Sequence, residues 1–200
     1  MTGVKVGFAL CGSYCTFEKV FHEMARLKAG GAEVQPIFSE NVYSTDTRFG
    51  SAREFIWAAE DICGKPIWHT MTQTEPIGPR GLLDVLVVAP CTGNTLGKLA
   101  SGVTDTCVTM ACKAHLRNNR PLVLAVSTND GLAAAARNIG ELLARKNIYF
   151  VPFGQDDALH KPASLVADMR LILPAAEESL CGRQVQPLLV PSGSAQSSSL

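Results

Sequence analysis

Short apolar runs alternate along the chain with segments whose apolar positions recur at helical spacing. "KVGFAL" (5–10) reads as a strand. From Phe17 onward, Phe17, Val20, Phe21, Met24 and Leu27 share one helical face, with Glu18, Lys19, Glu23 and Arg26 between them. The Gly30–Gly31 pair stops that helix. "AEVQPIFS" (32–39) reads as a second strand, and Pro36 predicts an irregular or edge position, because proline cannot donate to a ladder. Residues 48–63 read as a helix with Phe55, Ile56 and Ala59 on one side. Pro76, Gly78, Pro79 and Gly81 make 64–81 a long loop. "LLDVLVVAP" (82–90) is nearly all apolar, as a strand covered on both faces should be. Helices are predicted near 94–101 and 105–117, a buried strand at "PLVLAVS" (121–127), a helix at 131–146 and a strand at "NIYFVP" (147–152). Residues 162–181 read as mainly helical, with Pro174 expected to kink or split the segment. "VQPLLV" adds a last short strand.

Strand and helix alternating in this way predict an α/β fold: a three-layer, Rossmann-like or flavodoxin-like arrangement with a mostly parallel sheet flanked by helices. One domain is expected over residues 1–190, and the composition of "PSGSAQSSSL" predicts a disordered tail at 191–200. In open parallel sheets, ligands bind beyond the carboxyl ends of the strands. That rule selects three loops: "CGSYCT" (11–16), "APCTGNT" (89–95) and "STNDG" (127–131).

Composition removes several classes of function. Lys+Arg and Asp+Glu balance at 18 each, so no charge excess argues for nucleic acid or an anionic membrane. No apolar run reaches the roughly 20 residues needed to span a bilayer. Seven cysteines, an odd number, with no secretory signal pattern at the start, argue for reduced thiols in a cytoplasm. The four histidines are scattered at 22, 69, 115 and 160, no CxxC pair exists, and no metal-ligand spacing is present.

The first loop sets Gly12 and Ser13 at the expected start of a helix, where free N–H groups and a partial positive charge favour phosphate; ordinary helix capping by Ser13 or Thr16 is the other reading. "GNTLGK" (93–98) fails as a P-loop: three residues separate Gly93 from Gly97, and Leu99 stands where Ser or Thr would hold magnesium. Asn94 and Thr95 remain, both able to hydrogen-bond a flat polar ring. Ser127 and Asn129 could face the same crevice. Cys91, Cys11 and Cys15 read as small hydrophobes rather than redox thiols.

The stretch "APCTGNTLGKLASGVTDT" (89–106) resembles the Pro-x-Ser/Thr-Ala-Asn-Thr loop of flavin-dependent cysteine decarboxylases and related flavoproteins. Lys98, Ala100, Gly102 and Asp105 match that loop's continuation, Lys-x-Ala-x-Gly-x-x-Asp. Two departures stand out: Gly93 replaces the usual Ala, and "STNDGL" keeps only the Asn of Pro-Ala-Met-Asn. "GSYCTFE", "STDTRFG", "EPIGP", "STNDG" and "NIYFVPFGQDD" followed by "KP" narrow the resemblance to the B subunits of dipicolinate synthases, over roughly residues 4 to 190.

The resemblance implies FMN as cofactor, with Gly12, Ser13 and Ser39 at its phosphate, Thr92, Asn94 and Thr95 near the ring, Asp105 ordering the site, and Ser127 and Asn129 on the substrate side. Asn94 and Asn129 are the candidate catalytic residues. It implies oxidation of dihydrodipicolinate, or its hydroxytetrahydro precursor, to pyridine-2,6-dicarboxylate in the mother cell of a spore-forming bacterium. The A subunit of dipicolinate synthase is the implied partner and would carry NADP. This chain would form a homo-oligomer, a trimer or a multiple of trimers. The dicarboxylate needs cations: Arg48 is the first candidate, since Arg pairs bidentately, then Lys98, with Arg117 weaker. His69 lacks the surroundings of the decarboxylases' histidine, so no decarboxylation is expected. The competing readings are a scaffold subunit with a degenerate flavin site, and another flavin enzyme such as a decarboxylase or prenyl-flavin maker.

Overall fold

The structure, a computed structural model, describes residues 1–190; the expected tail at 191–200 lies outside the described residues. Strand β1 (Lys5–Leu10) leads through a short 3-10 turn (Tyr14–Thr16) into α1 (Phe17–Ala29), then β2 (Glu33–Phe38). After α2 (Glu40–Ser44) and α3 (Ala52–Cys63) come two single-turn helices, α4 (Met71–Thr74) and α5 (Ile77–Arg80). Strand β3 (Val85–Cys91) precedes α6 (Gly93–Ser101) and α7 (Cys107–Leu116), and β4 (Leu122–Thr128) precedes α8 (Ala136–Leu143). Short strands β5 (Ile148–Phe150), β6 (Phe153–Gly154) and β7 (Leu165–Ala167) and helix α9 (Ile172–Leu180) follow.

The sheet runs β2-β1-β3-β4, all parallel, with β5 extending it in parallel along the first half of β4. A β6–β7 hairpin joins antiparallel to the second half of β4. This is the flavodoxin-like order. Helices α1, α3 and α9 cover one face, and α6, α7 and α8 the other. All seven residues of β3 are buried, and so are six of the seven in β4, which is why both read as continuous apolar runs. No helix among the described residues is long and apolar enough to cross a membrane.

Pro36 lies in β2 at the edge of the sheet. Its open side is closed by Trp68, whose N–H donates to the Pro36 carbonyl at 3.0 Å and whose carbonyl accepts from Phe38 N at 2.9 Å. The expected loop at 64–81 contains α4 and α5 because Thr70 and Gln73 form a capping box and both turns pack on α7.

Three expectations are corrected. The segment 162–181 is helical only from Met169: β7 comes first, then a 3-10 turn (Met169–Leu171) and α9, with Pro174 the third residue of that helix. In a first turn the missing N–H would have no intrahelical partner anyway, so Pro174 neither kinks nor splits the helix. The helix expected from 131 begins only at Ala136. Before it, Gly131 packs so closely on β7 that a Cβ would sit 2.7 Å from the Leu165 side chain, and the chain turns instead. "VQPLLV" contributes a single bridge, Leu189 to Phe153, rather than a strand.

Candidate functional site

From β1 the chain crosses to β2 on one side, and from β3 it crosses to β4 on the other. Neighbouring strands whose connections diverge leave a crevice beyond their carboxyl ends. A cleft of about 280 Å³ occupies that crevice, between the loops that follow β1, β2 and β3. Gly12 comes from the first loop, Ser39, Glu40 and Asn41 from the second, and Thr92, Asn94, Thr95 and Lys98 from the third, with Asp105 and Thr106 closing the rim.

Local sequence chemistry sets each of these groups. A register shift between Val88 and Cys91 ends the regular β3–β4 pairing. Thr92 then caps α6, its hydroxyl accepting from Thr95 N at 3.4 Å. That cap turns Asn94, on the first turn of α6, out to the exposed side of the cleft. Thr95 points inward, and its hydroxyl donates to Cys11 Sγ at 3.2 Å. Ser39 caps α2, accepting from Val42 N at 3.4 Å. Glu40 reaches across to the start of α7, where its carboxylate accepts from Cys107 N at 2.8 Å.

Electrostatically the cleft is mixed. Lys98 pairs with Asp105 at 2.8 Å, and the hydrogen bond from Lys98 holds the Asp105 carboxyl below its usual range. Lys98 against Glu40 and Asp105 leaves one excess negative charge among these three groups. Burial pushes the Cys11 thiol up to about 11 and those of Cys91 and Cys112 well above their usual value, so these sulfurs stay protonated and apolar near neutral pH.

The structure therefore brings Gly12, Ser39, Thr92, Asn94, Thr95, Lys98 and Asp105 into one cleft. It places the remaining candidates elsewhere. Ser13 does not cap a helix: its N–H donates to the Cys11 carbonyl at 2.8 Å, and its hydroxyl is hydrogen-bonded to that of Ser127 at 2.7 Å. The two serines fasten the β1–α1 loop to the end of β4. Asn129 is exposed and outside the cleft's lining. Arg48 is also exposed, its guanidinium 4.8 Å above the Phe49 ring. His69 stacks on Tyr43 at 3.6 Å and takes no part in the lining.

Sequence reasoning missed Glu40, Asn41 and Thr106, which become cleft residues only through the fold. It also missed the reason for Gly93. A Cβ there would lie 2.6 Å from Thr128 Oγ1 and 2.8 Å from Asp130 Oδ1, and the Thr128 hydroxyl itself donates to the Asp130 carboxylate. The two departures from the flavoprotein pattern, Gly93 and "STNDG", are thus one packing unit: the loop after β4 leans on the start of α6, and only glycine leaves it room.

Comparison with known proteins agrees with this geometry. The flavoprotein family model matches residues 1–152. The chain is 47% identical to the B subunit of dipicolinate synthase from Bacillus subtilis (strain 168) over 190 residues, covering 95% of each. The crystal structure of the dipicolinate synthase B subunit from Bacillus halodurans superposes with a TM-score of 0.88 at 46% identity, covering 96% of this chain and 98% of that one. The FMN-dependent cysteine decarboxylase SpaF shares the fold, with a TM-score of 0.64 at 22% identity over 90% of this chain and 98% of that one. With a β1/β3 crevice lined by the Asn-Thr loop, and with these relatives, the chain belongs to the flavoprotein family and, within it, to the family of dipicolinate synthase B subunits.

Proposed function

We propose that residues 1–190 form one FMN-binding domain, the flavin-carrying half of a dipicolinate synthase. The synthase's A subunit, with NADP, would complete the enzyme in the cytoplasm of the mother cell. The observation that carries this reading is the convergence of a glycine, three hydroxyls and an amide, from Gly12, Ser39, Thr92, Thr95 and Asn94, in one cleft at the β1/β3 crevice. That position is where a flavodoxin-like sheet holds FMN. The donor set fits the cofactor. Gly12 lets a phosphate approach the backbone, Ser39 supplies a hydroxyl, and Lys98 is the cleft's cation. The Glu40 carboxylate is turned onto the start of α7 and so is already occupied.

When bound, an oxidised flavin supplies a two-electron acceptor for a ring that becomes aromatic on losing two hydrogens. The chain's own residues bind and orient. Asn94 presents an amide to the edge of a planar ring; Thr95 and Thr92 fix the helix that carries it. Of Asn94 and Asn129, only Asn94 is proposed to touch ligand. The cleft, at about 280 Å³, lies just below the roughly 300–1,000 Å³ usual for ligand pockets. A cleft this small would need further walls to enclose a flavin, and a second copy of the chain in a homo-oligomer would supply them.

The test is direct. The purified chain should be yellow, or become so with added FMN, and with the synthase's A subunit plus dihydrodipicolinate it should form pyridine-2,6-dicarboxylate. A colourless protein that takes up no FMN, yet still supports synthesis with that partner, would replace this reading with that of a scaffold.

A further inference from the structure

The β1–α1 loop has a second side. Beyond Ser13 it lines another cleft, of about 210 Å³, whose walls include Thr16, Lys19, Asp156, Lys161, Val166 and Met169. The floor is apolar, from Val166 on β7 and Met169 just after it; the rim carries two ammonium groups and one carboxylate. Lys161 Nζ lies 3.7 Å from Asp156 Oδ2. These three charges sum to one positive, whereas Lys98, Glu40 and Asp105 in the first cleft sum to one negative. The excess positive charge of the second cleft suits an anion with two carboxylates.

The loop that supplies Lys161 is braced. Gln155 Nε2 donates to the Pro162 carbonyl at 2.8 Å, and Lys161 N to the Asp157 carbonyl at 2.8 Å. These are residues of "FGQDD" and "KP", the distinctive part of the sequence that the flavin cleft leaves unused. The two clefts lie on either side of one wall. Val166 lies opposite Ser127 in the β4–β7 register, and the Ser127 hydroxyl holds Ser13, which separates Gly12 in one cleft from Thr16 in the other.

We infer that this second cleft binds a small planar dicarboxylic acid, with Lys19 and Lys161 each meeting one carboxylate and the ring lying on Val166 and Met169. The inference rests on the dipicolinate reading for the choice of ligand, and it assigns to Lys19 and Lys161 the part that Arg48, outside both clefts, does not fill. Reduced precursor and oxidised product share the chemistry that the site recognises.

The test titrates the full chain, metal-free and without added flavin, with pyridine-2,6-dicarboxylate, followed by calorimetry and by amide NMR shifts. Lys19→Gln and Lys161→Gln should each weaken binding about tenfold, as loss of a charge-assisted contact does. Pyridine-2-carboxylate should bind more weakly than the diacid, and FMN uptake should be unchanged in both variants. Pyridine-2,6-dicarboxylate should also bind more tightly than the puckered piperidine-2,6-dicarboxylate; the reverse order would overturn a site shaped for a planar ring. No binding of either diacid, or equal binding by the Lys19→Gln/Lys161→Gln double variant, overturns the inference. Loss of FMN uptake by the unmodified chain, with diacid binding intact, would instead overturn the flavin reading and leave this site standing.

Discussion

The loops that follow β3 and β4 start alike: each leaves the carboxyl end of a buried parallel strand, and each is rich in hydroxyl and amide groups. Their fates differ. The loop after β3 borders the crevice where the chain's connections diverge, and Thr92, Asn94 and Thr95 all line the cleft there. The loop after β4 lies one strand further from that crevice and turns its polar groups on its neighbours. Ser127 bonds Ser13, Thr128 bonds Asp130, and the Thr128 carbonyl accepts from the Ser164 hydroxyl. The polar residues after the buried strand at the switch point line the cleft; one strand away, the same composition fastens loops.

The comparison can be broken at several strengths. The largest effect should come from the other end of the sheet, where β4 begins. His115 on α7 is 1% exposed and bonds the Pro121 carbonyl at 2.9 Å, and burial lowers its pKa from 6.5 to about 4. The folded state keeps it neutral while the unfolded chain takes up a proton. Its contribution is thus complete above about pH 6.5 and is lost as pH falls towards 4, by up to about 3 kcal/mol. Urea denaturation from pH 7 to 4 should show that fall, and His115→Gln should flatten it.

Next, Gly93→Ala should cost about 1–3 kcal/mol, because the added methyl overpacks against Thr128 and Asp130. Combining it with Thr128→Ala should recover part of the loss; a neutral Gly93→Ala would show that the two loops are not pressed together. Ser13→Ala should cost about 1 kcal/mol by leaving the buried Ser127 hydroxyl without its partner. The smallest effect belongs to Asn129→Ala, within about 0.5 kcal/mol, since that side chain is exposed. A larger loss at Asn129 than at Ser13 in the same denaturation series would invert the comparison.

What the sequence made legible follows from the same physics. Strands β1, β3 and β4 are buried on both faces, so their apolar runs announce them. The β6–β7 hairpin was hidden because Leu165, Met169, Ile172 and Ala176, all buried, fall at helical spacing although only the last two lie in α9. Gly12 and the Asn-Thr loop could be picked out by strand ends and glycine chemistry, whereas Ser39 came only from the family resemblance. Glu40 could not, because its reach to Cys107 spans 67 positions. Nor could the orientation of Ser13, which depends on a hydroxyl 114 positions away. Arg48 looked suited to a carboxylate, but the fold sets it on Phe49, outside the cleft.

The central claim is that the β1/β3 crevice, and not the loop after β4, holds the flavin. Fluorescence titration of FMN with the chain and with Asn94→Leu and Asn129→Leu tests it most directly. The account predicts that the unmodified chain and Asn129→Leu bind FMN alike, while Asn94→Leu binds at least about tenfold more weakly, as loss of a polar contact to the ring implies. Equal binding by Asn94→Leu, or loss confined to Asn129→Leu, would contradict it.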